Sequence, residues 1–133
     1  MSFSLNFTID VDAERKIVME KIYGTWKKET ATSYDEAYRK AAEPLLGEKW
    51  AKVVNLTNWK VSYPDIIEMV GQHLRWCRQN GMVLSVNIID NPVTTNYLKK
   101  MFSFGATEDI SVIVRTPEEA QKILAEHGFI ILQ

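Results

Sequence analysis

A chain of 133 residues is long enough to bury roughly two-thirds of the surface it exposes when unfolded, so a single domain with its own core is expected. Hydrophobic residues at 46% and charged residues at 25% are globular averages, which argues against long disorder and against a fibrous or disulfide-stapled scaffold. The 16 basic and 17 acidic residues are spread along the chain for a formal charge of -1, so the clustered Lys and Arg that nucleic acid requires are missing and no such partner is expected.

The N-terminal MSFSLNFTIDVD has no basic leader and alternates Leu5, Phe7, Ile9 and Val11 with polar residues, which reads as a strand over residues 3 to 11 and not as a signal peptide. Residues 16 to 23 (KIVMEKIY) form a second β-rich run. With the polar loop Asp12 to Arg15 between them, the two runs predict an antiparallel hairpin. After Gly24, the segment Thr30 to Leu46 sets Tyr34, Tyr38, Ala41, Ala42 and Leu45 on one stripe, with Ser33 and Glu36 spaced as a capping box. Pro44 breaks the pattern, so this helix is expected to end near Ala42 or Glu43 and the chain to turn at Gly47.

Trp50 to Leu56 is a valine-rich strand, and a helix follows from Pro64 to about Asn80, closed by Gly81. Its apolar face is Ile66, Met69, Val70, Leu74 and Cys77, at spacings of three and four. Gly71 costs up to about 1 kcal/mol in mid-helix relative to alanine, which suggests that this helix approaches the sheet closely there. Met82 to Ile89 is another apolar strand. Asn91 then caps a third helix that starts at Pro92, carries Val93, Tyr97, Leu98, Met101 and Phe102, and stops near Gly105. Ile110 to Val114 is the fifth strand. TPEEAQKILAEHG closes the pattern with Thr116 as cap, Pro117 at the first helical position, Glu119 at the capping-box position and Gly128 at the end.

The order β-β-α-β-α-β-α-β-α defines an α/β fold: a mixed, mostly parallel five-stranded sheet flanked by four helices. Strands joined through single helices run parallel, which leaves one antiparallel edge from the hairpin. The apolar runs at 82 to 89 and 110 to 114 suit strands covered on both faces.

Ligands of open parallel sheets bind outside the carboxyl ends of the strands, where loops and positive helix N-termini converge. Here those junctions are Asn55 to Tyr63, Asp90 to Thr95, and Arg115 to Thr116, each leading to a helix that begins with proline. Candidate binding residues are therefore Asn55, Thr57, Asn58, Trp59, Lys60, Ser62, Tyr63, Asp90, Asn91, Thr94, Arg115 and Thr116. Helix capping alone is the commoner explanation for Asn91 and Thr116. The Asn55 to Tyr63 loop is longer than its connection demands, so there a site and a plain loop stand nearly level. Trp59 and Tyr63 read either as lid residues over a pocket or, more commonly, as cover for the end of the core.

His73 shares the apolar face of Met69, Val70 and Cys77, where a histidine is more often a hydrogen-bonded core residue than a ligand. His127 lies in the last turn of the final helix, where its charge suits the dipole. Cys77, the lone cysteine, reads as a small hydrophobe and allows neither an intramolecular disulfide nor a multi-cysteine metal site. No G-x-S-x-G, P-loop or G-x-G-x-x-G occurs, so no catalytic residue, metal or cofactor is assigned. A reducing compartment and the lack of any run of 18 apolar residues point to the cytoplasm without membrane insertion. The tail residues Phe129, Ile130, Ile131 and Leu132 either pack on their own domain or contribute to a homodimer contact.

With this order of elements, IDVDAERKIVMEKIYGTW, PLLGEKWAKVVNLTNW, HLRWCRQNG, MVLSVNIIDNP and TPEEAQKILAEHGF together resemble the STAS group, the anti-sigma-factor-antagonist (SpoIIAA-like) fold, in its branch of small stand-alone bacterial proteins of unassigned role. The resemblance covers nearly the whole chain. It implies a protein-interaction or ligand-sensing module, and the leading reading is a non-enzymatic regulatory or protein-interaction module acting through the surface built from the Asn55 to Tyr63 loop and the second helix. In some members of the group a serine that directly follows an aspartate at the start of this helix is phosphorylated. Here the region reads Val61, Ser62, Tyr63, Pro64, Asp65, with no Asp-Ser pair, which puts the switch in question and leaves Ser62 as candidate phosphosite. The alternative is a carrier or sensor of a small, partly apolar ligand lined by Trp59, Tyr63, Tyr97 and Phe104, and the third reading is an enzyme without a recognisable motif.

Overall fold

The computed structural model describes residues 6–61 and 63–130. Ser62, the candidate phosphosite, lies outside them, as do Leu5 of the expected first strand and Ile131 and Leu132 of the tail. Strands β1 (Phe7–Asp12) and β2 (Ile17–Ile22) pair antiparallel, with Phe7 opposite Ile22 and Asp12 opposite Ile17. Asp12 holds the intervening turn, accepting from the Arg15 backbone at 2.9 Å and from its guanidinium at 3.1 Å.

The rest of the chain alternates as expected: α1 (Lys28–Ala41), β4 (Trp50–Asn55), α2 (Pro64–Gln79), β6 (Met82–Ile88), α3 (Pro92–Gly105), β7 (Ser111–Val114) and α4 (Pro117–Glu126). The five-stranded sheet has the order β1-β2-β4-β6-β7, with β1 antiparallel and the other neighbours parallel. Even-numbered residues of β2 and β4, such as Val18 and Val54, face the larger core under α1, α2 and α3, while odd-numbered ones, such as Ile17 and Val53, face a smaller core closed by α4.

Two further strands, β3 (Gly24–Thr25) and β5 (Trp59–Lys60), pair in parallel as a separate ribbon. At two residues each, they are too short for alternation to reveal. Helix α1 starts at Lys28, earlier than expected, and Ser33 and Glu36 lie inside it and not at a capping box. Ala31 is buried with Tyr34 and Tyr38, so the apolar stripe extends one turn further back, and Thr30 Oγ1 caps the earlier start by accepting from the Lys27 N–H at 3.4 Å. Ile110 ends a single 3₁₀ turn (Glu108–Ile110), so the last strand begins at Ser111. That strand is the sheet's edge, which is why its Ser111, Val112 and Ile113 are only half-buried although cover on both faces was expected.

Gly71 faces α3 and not the sheet. A Cβ there would lie 2.8 Å from Phe104 Cβ, and a Cβ on Gly105 would lie 2.5 Å from the Gly71 carbonyl oxygen. The two glycines thus set the close approach of α2 and α3. Phe104 is consequently placed against Gly71, away from the pocket it was expected to line. In the tail, the Phe129 N–H donates to Leu124 O at 2.8 Å and its ring packs on the smaller core, while Ile130 is 62% exposed.

Candidate functional site

Strands β4, β6 and β7 run parallel, so their carboxyl ends share one rim, and α2, α3 and α4 all start there with proline at the first turn. Backbone bonds tie the junctions in sequence: Leu56 N–H to Ile88 O and Ile89 N–H to Val114 O, each at 2.9 Å. Side chains add two links, Thr94 Oγ1 to Trp59 O at 3.3 Å and Arg115 to Asp90 at 3.6 Å. Segments far apart in sequence therefore meet along a single edge.

The Asn55 to Tyr63 loop is held from inside. Asn55 Oδ1 accepts the Thr57 N–H at 3.0 Å, and the Gly24 N–H donates to Asn58 O at 2.9 Å as the β3–β5 ribbon begins. Trp59 anchors the loop; it is 2% exposed and meets Trp26 edge-on at a centroid distance of 5.4 Å. Trp59 thus covers the core, and Thr94 is buried beneath it as a structural tie.

Asn91 and Thr116 are taken up by capping: Asn91 Oδ1 accepts from Val93 N at 2.9 Å, and Thr116 Oγ1 accepts from Glu119 N at 3.1 Å. Tyr63, which begins α2, caps nothing with its side chain. Thr57, Asn58, Lys60, Tyr63, Asp90 and Arg115 remain as the solvent-facing members of the expected set among the described residues.

Tyr63 is 47% exposed and stands between two clefts. On one side, Val61, Pro64 and Ile67 at the start of α2 and Tyr97 and Lys100 on α3 enclose about 210 Å³. The Lys100 ammonium lies 5.7 Å from the Tyr97 ring centroid, which puts one positive charge at an otherwise apolar mouth. On the other side, Lys27, Lys28, Glu29 and Asp65 line a charged cleft, with Lys28 and Asp65 3.6 Å apart. Sequence reasoning missed residues 27 to 29; only the β3–β5 pairing, which draws residues 24 and 25 against the loop, could have signalled them.

A second polar cluster was not anticipated. Glu20 on β2 and Lys52 on β4 face the larger core, their charges 3.3 Å apart with side chains 0% and 4% exposed. The Tyr34 hydroxyl donates to Glu20, and the Lys52 ammonium lies 5.3 Å from the Tyr38 ring centroid. His73 packs on both tyrosine rings, bonds Asp35 through Nδ1 at 2.8 Å and contacts Cys77 Sγ through Nε2 at 3.4 Å. Arg39 closes the outer end on Asp35 at 3.0 Å.

Burial drives the tyrosine, cysteine and histidine shifts in this cluster. It pushes the Tyr34 and Tyr38 hydroxyls well above 10.0 and the Cys77 thiol up to about 12. Burial also holds His73 below 6.5, opposed but not overcome by its bond to Asp35. For Asp35 burial acts upward, yet the His73 hydrogen bond and charge together with Arg39 outweigh it and keep the carboxyl below 3.8. Because the folded chain binds a proton at His73 less readily than the unfolded one, this contribution is complete above the unfolded value of 6.5 and is lost as pH falls through the lower folded value. The urea midpoint should therefore decrease as the pH is lowered below 6.5, and the decrease should flatten in His73→Gln.

No protein-family model matches the chain, and no curated protein matches it. Solved structures do. The anti-sigma factor antagonist SpoIIAA in its unphosphorylated form superimposes with a TM-score of 0.58 at 16% identity, covering 96% of this chain and 99% of that one. The Bacillus cell fate determinant SpoIIAA in its phosphorylated form gives 0.57 at 16% identity over 89% and 98%. An anti-sigma factor antagonist from Mycobacterium paratuberculosis gives 0.55 at 12% identity over 94% and 99%. The molecule is thus an α/β protein with its parallel-strand loops gathered on one rim. More narrowly, it has the STAS-like fold of the SpoIIAA structures, and no helix among its described residues is long and apolar enough to cross a membrane.

Proposed function

We propose that this chain is a single-domain, non-enzymatic regulatory module that acts in the cytoplasm by binding a protein partner at the rim where α2 and α3 begin. The observation that carries the reading is the apolar cleft beside Tyr63. Tyr63 and Val93 are 47% and 64% exposed on the same rim, and Val61, Ile67 and Tyr97 back them. Exposed aromatic and aliphatic groups around an apolar depression, rimmed by lysine, are the make-up of a protein contact. The fold likeness supports the regulatory reading, since the superimposed proteins are named as antagonists of an anti-sigma factor.

The size of the apolar cleft favours a partner side chain over a free apolar ligand there, although the charged cleft across Tyr63 measures about 330 Å³. Sites for small molecules usually span about 300–1,000 Å³, more than the 210 Å³ between α2 and α3. The carrier reading keeps Tyr63 and Tyr97 as lining residues, while Trp59 and Phe104 lie elsewhere. An enzyme reading would turn to Cys77, His73 and Asp35, which line up as nucleophile, base and carboxylate. Cys77 is wholly buried, however, and its thiol is pushed up to about 12, so it offers no nucleophile to a substrate.

Tyr63→Ala combined with Tyr97→Ala should reduce capture of the partner from host extract by about tenfold or more, as truncation of central aromatic anchors does. The unfolding midpoint should fall only by what one half-buried side chain contributes, since Tyr63 is exposed and Tyr97 packs half-buried on the larger core. Equal capture by wild type and double variant would contradict the proposal. Ser62 is not assigned the switch: mass spectrometry of protein isolated from its host should find residues 60–67 unmodified, and a phosphate on Ser62 would reinstate it.

A further inference from the structure

The outer side of β7 is an edge with no strand paired to it among the described residues. Ile89 N–H donates to Val114 O at 2.9 Å and the Asn87 side chain donates to Val112 O at 3.2 Å, so Val112 and Val114 turn their backbone toward β6. By the alternation of a parallel ladder, Ser111 and Ile113 direct their N–H and C=O groups outward. Their side chains line a groove of about 320 Å³ between β7 and α3, together with Phe102, Lys99 and Glu108. Within it, the Ser111 hydroxyl is buried and has no hydrogen-bond partner.

We propose that this edge pairs with β7 of a second copy of the chain, antiparallel about a two-fold axis at Ile113, to give a continuous ten-stranded sheet. In that register both outward residues are used: Ile113 faces its symmetry mate in a hydrogen-bonded pair, and Ser111 faces Arg115 of the second copy. Alternation places residues 111, 113 and 115 on the α3 side. The guanidinium of Arg115, 77% exposed and exchanging its 3.6 Å pair with Asp90, thereby enters the opposite groove, where Glu108 beside Lys99 supplies the counter-charge. The acidic turn before β7 and the basic residue after it meet twice in such a dimer. The other edge does not suit self-pairing, since β1 carries Asp10 and Asp12 and a two-fold would bring like charges together.

Analytical ultracentrifugation of the full chain, combined with oxidative cross-linking, tests this. The wild type should reach a mass twice 15.3 kDa as concentration rises. Arg115→Glu should raise the dissociation constant about tenfold or more, and Glu108→Lys added to it should restore association. Ile113→Cys should form a covalent dimer, because directly opposed residues lie about 5.5 Å apart, within disulfide reach; Ser111→Cys should not, its symmetry mate being four residues away. Native Cys77 is buried, and the wild type serves as the control for it. A 15.3 kDa species at every concentration, association unmoved by Arg115→Glu, or cross-linking of Ser111→Cys as readily as Ile113→Cys would each overturn the proposal.

Discussion

Replacing Lys52 with methionine should lower the unfolding free energy by about 3–5 kcal/mol, the range seen when one partner of a buried ion pair is removed. The loss comes from what remains. The Glu20 side chain is 0% exposed, and without the ammonium 3.3 Å away its carboxylate keeps only the Tyr34 hydroxyl. Adding Glu20→Gln removes that stranded charge while leaving an oxygen for Tyr34, so the double variant should recover more than half of the loss. Urea unfolding of the wild type, the single variant and the double variant measures the cycle. A cost for Lys52→Met below about 1 kcal/mol, typical of exposed pairs, would show that the charges are solvated and the core is not as described.

Gly105→Ala should cost about 1–3 kcal/mol net, although alanine in an exposed helix is favoured over glycine by up to about 1 kcal/mol. The added methyl would lie 2.5 Å from the Gly71 carbonyl oxygen, a backbone atom that no rotamer change can move, so α2 and α3 must separate. Ser103→Ala, on the exposed side of the same helix, should be neutral or slightly stabilising. Because Ile67 on α2 and Tyr97 on α3 face each other across the cleft, the separation should also weaken partner binding. Thermal unfolding compares the two alanine variants, and a stabilised Gly105→Ala would contradict the glycine contact.

Legibility in the sequence followed the strength of local signals. The alternation of β1, the proline-led starts of α2, α3 and α4, and the capping residues Asn91 and Thr116 are local, and the parallel order of strands follows from them by connectivity alone. What escaped notice depends on pairing across the sheet. Lys52 sits within WAKVVN beside Trp50, Ala51, Val53 and Val54, which marks a buried strand, yet its partner Glu20 lies on β2 and only the register brings the two together. The same holds for Gly71, whose lack of a side chain signals close approach without saying to what; its neighbour across α3 is Gly105. Thr94 and Trp59 looked like rim residues because polar and aromatic groups at strand ends serve equally as ligands and as plugs. Burial distinguishes the two roles, and Tyr63 is the one aromatic of the loop left facing solvent.

Hydrogen–deuterium exchange of the chain, alone and with the proposed protein partner once isolated from its host, tests the rim most directly. Binding should slow exchange in residues 57–67 and 92–100 and leave α4 unchanged. Protection concentrated on α4 and the smaller core, with no change along the starts of α2 and α3, would place the working surface on the opposite face of the sheet.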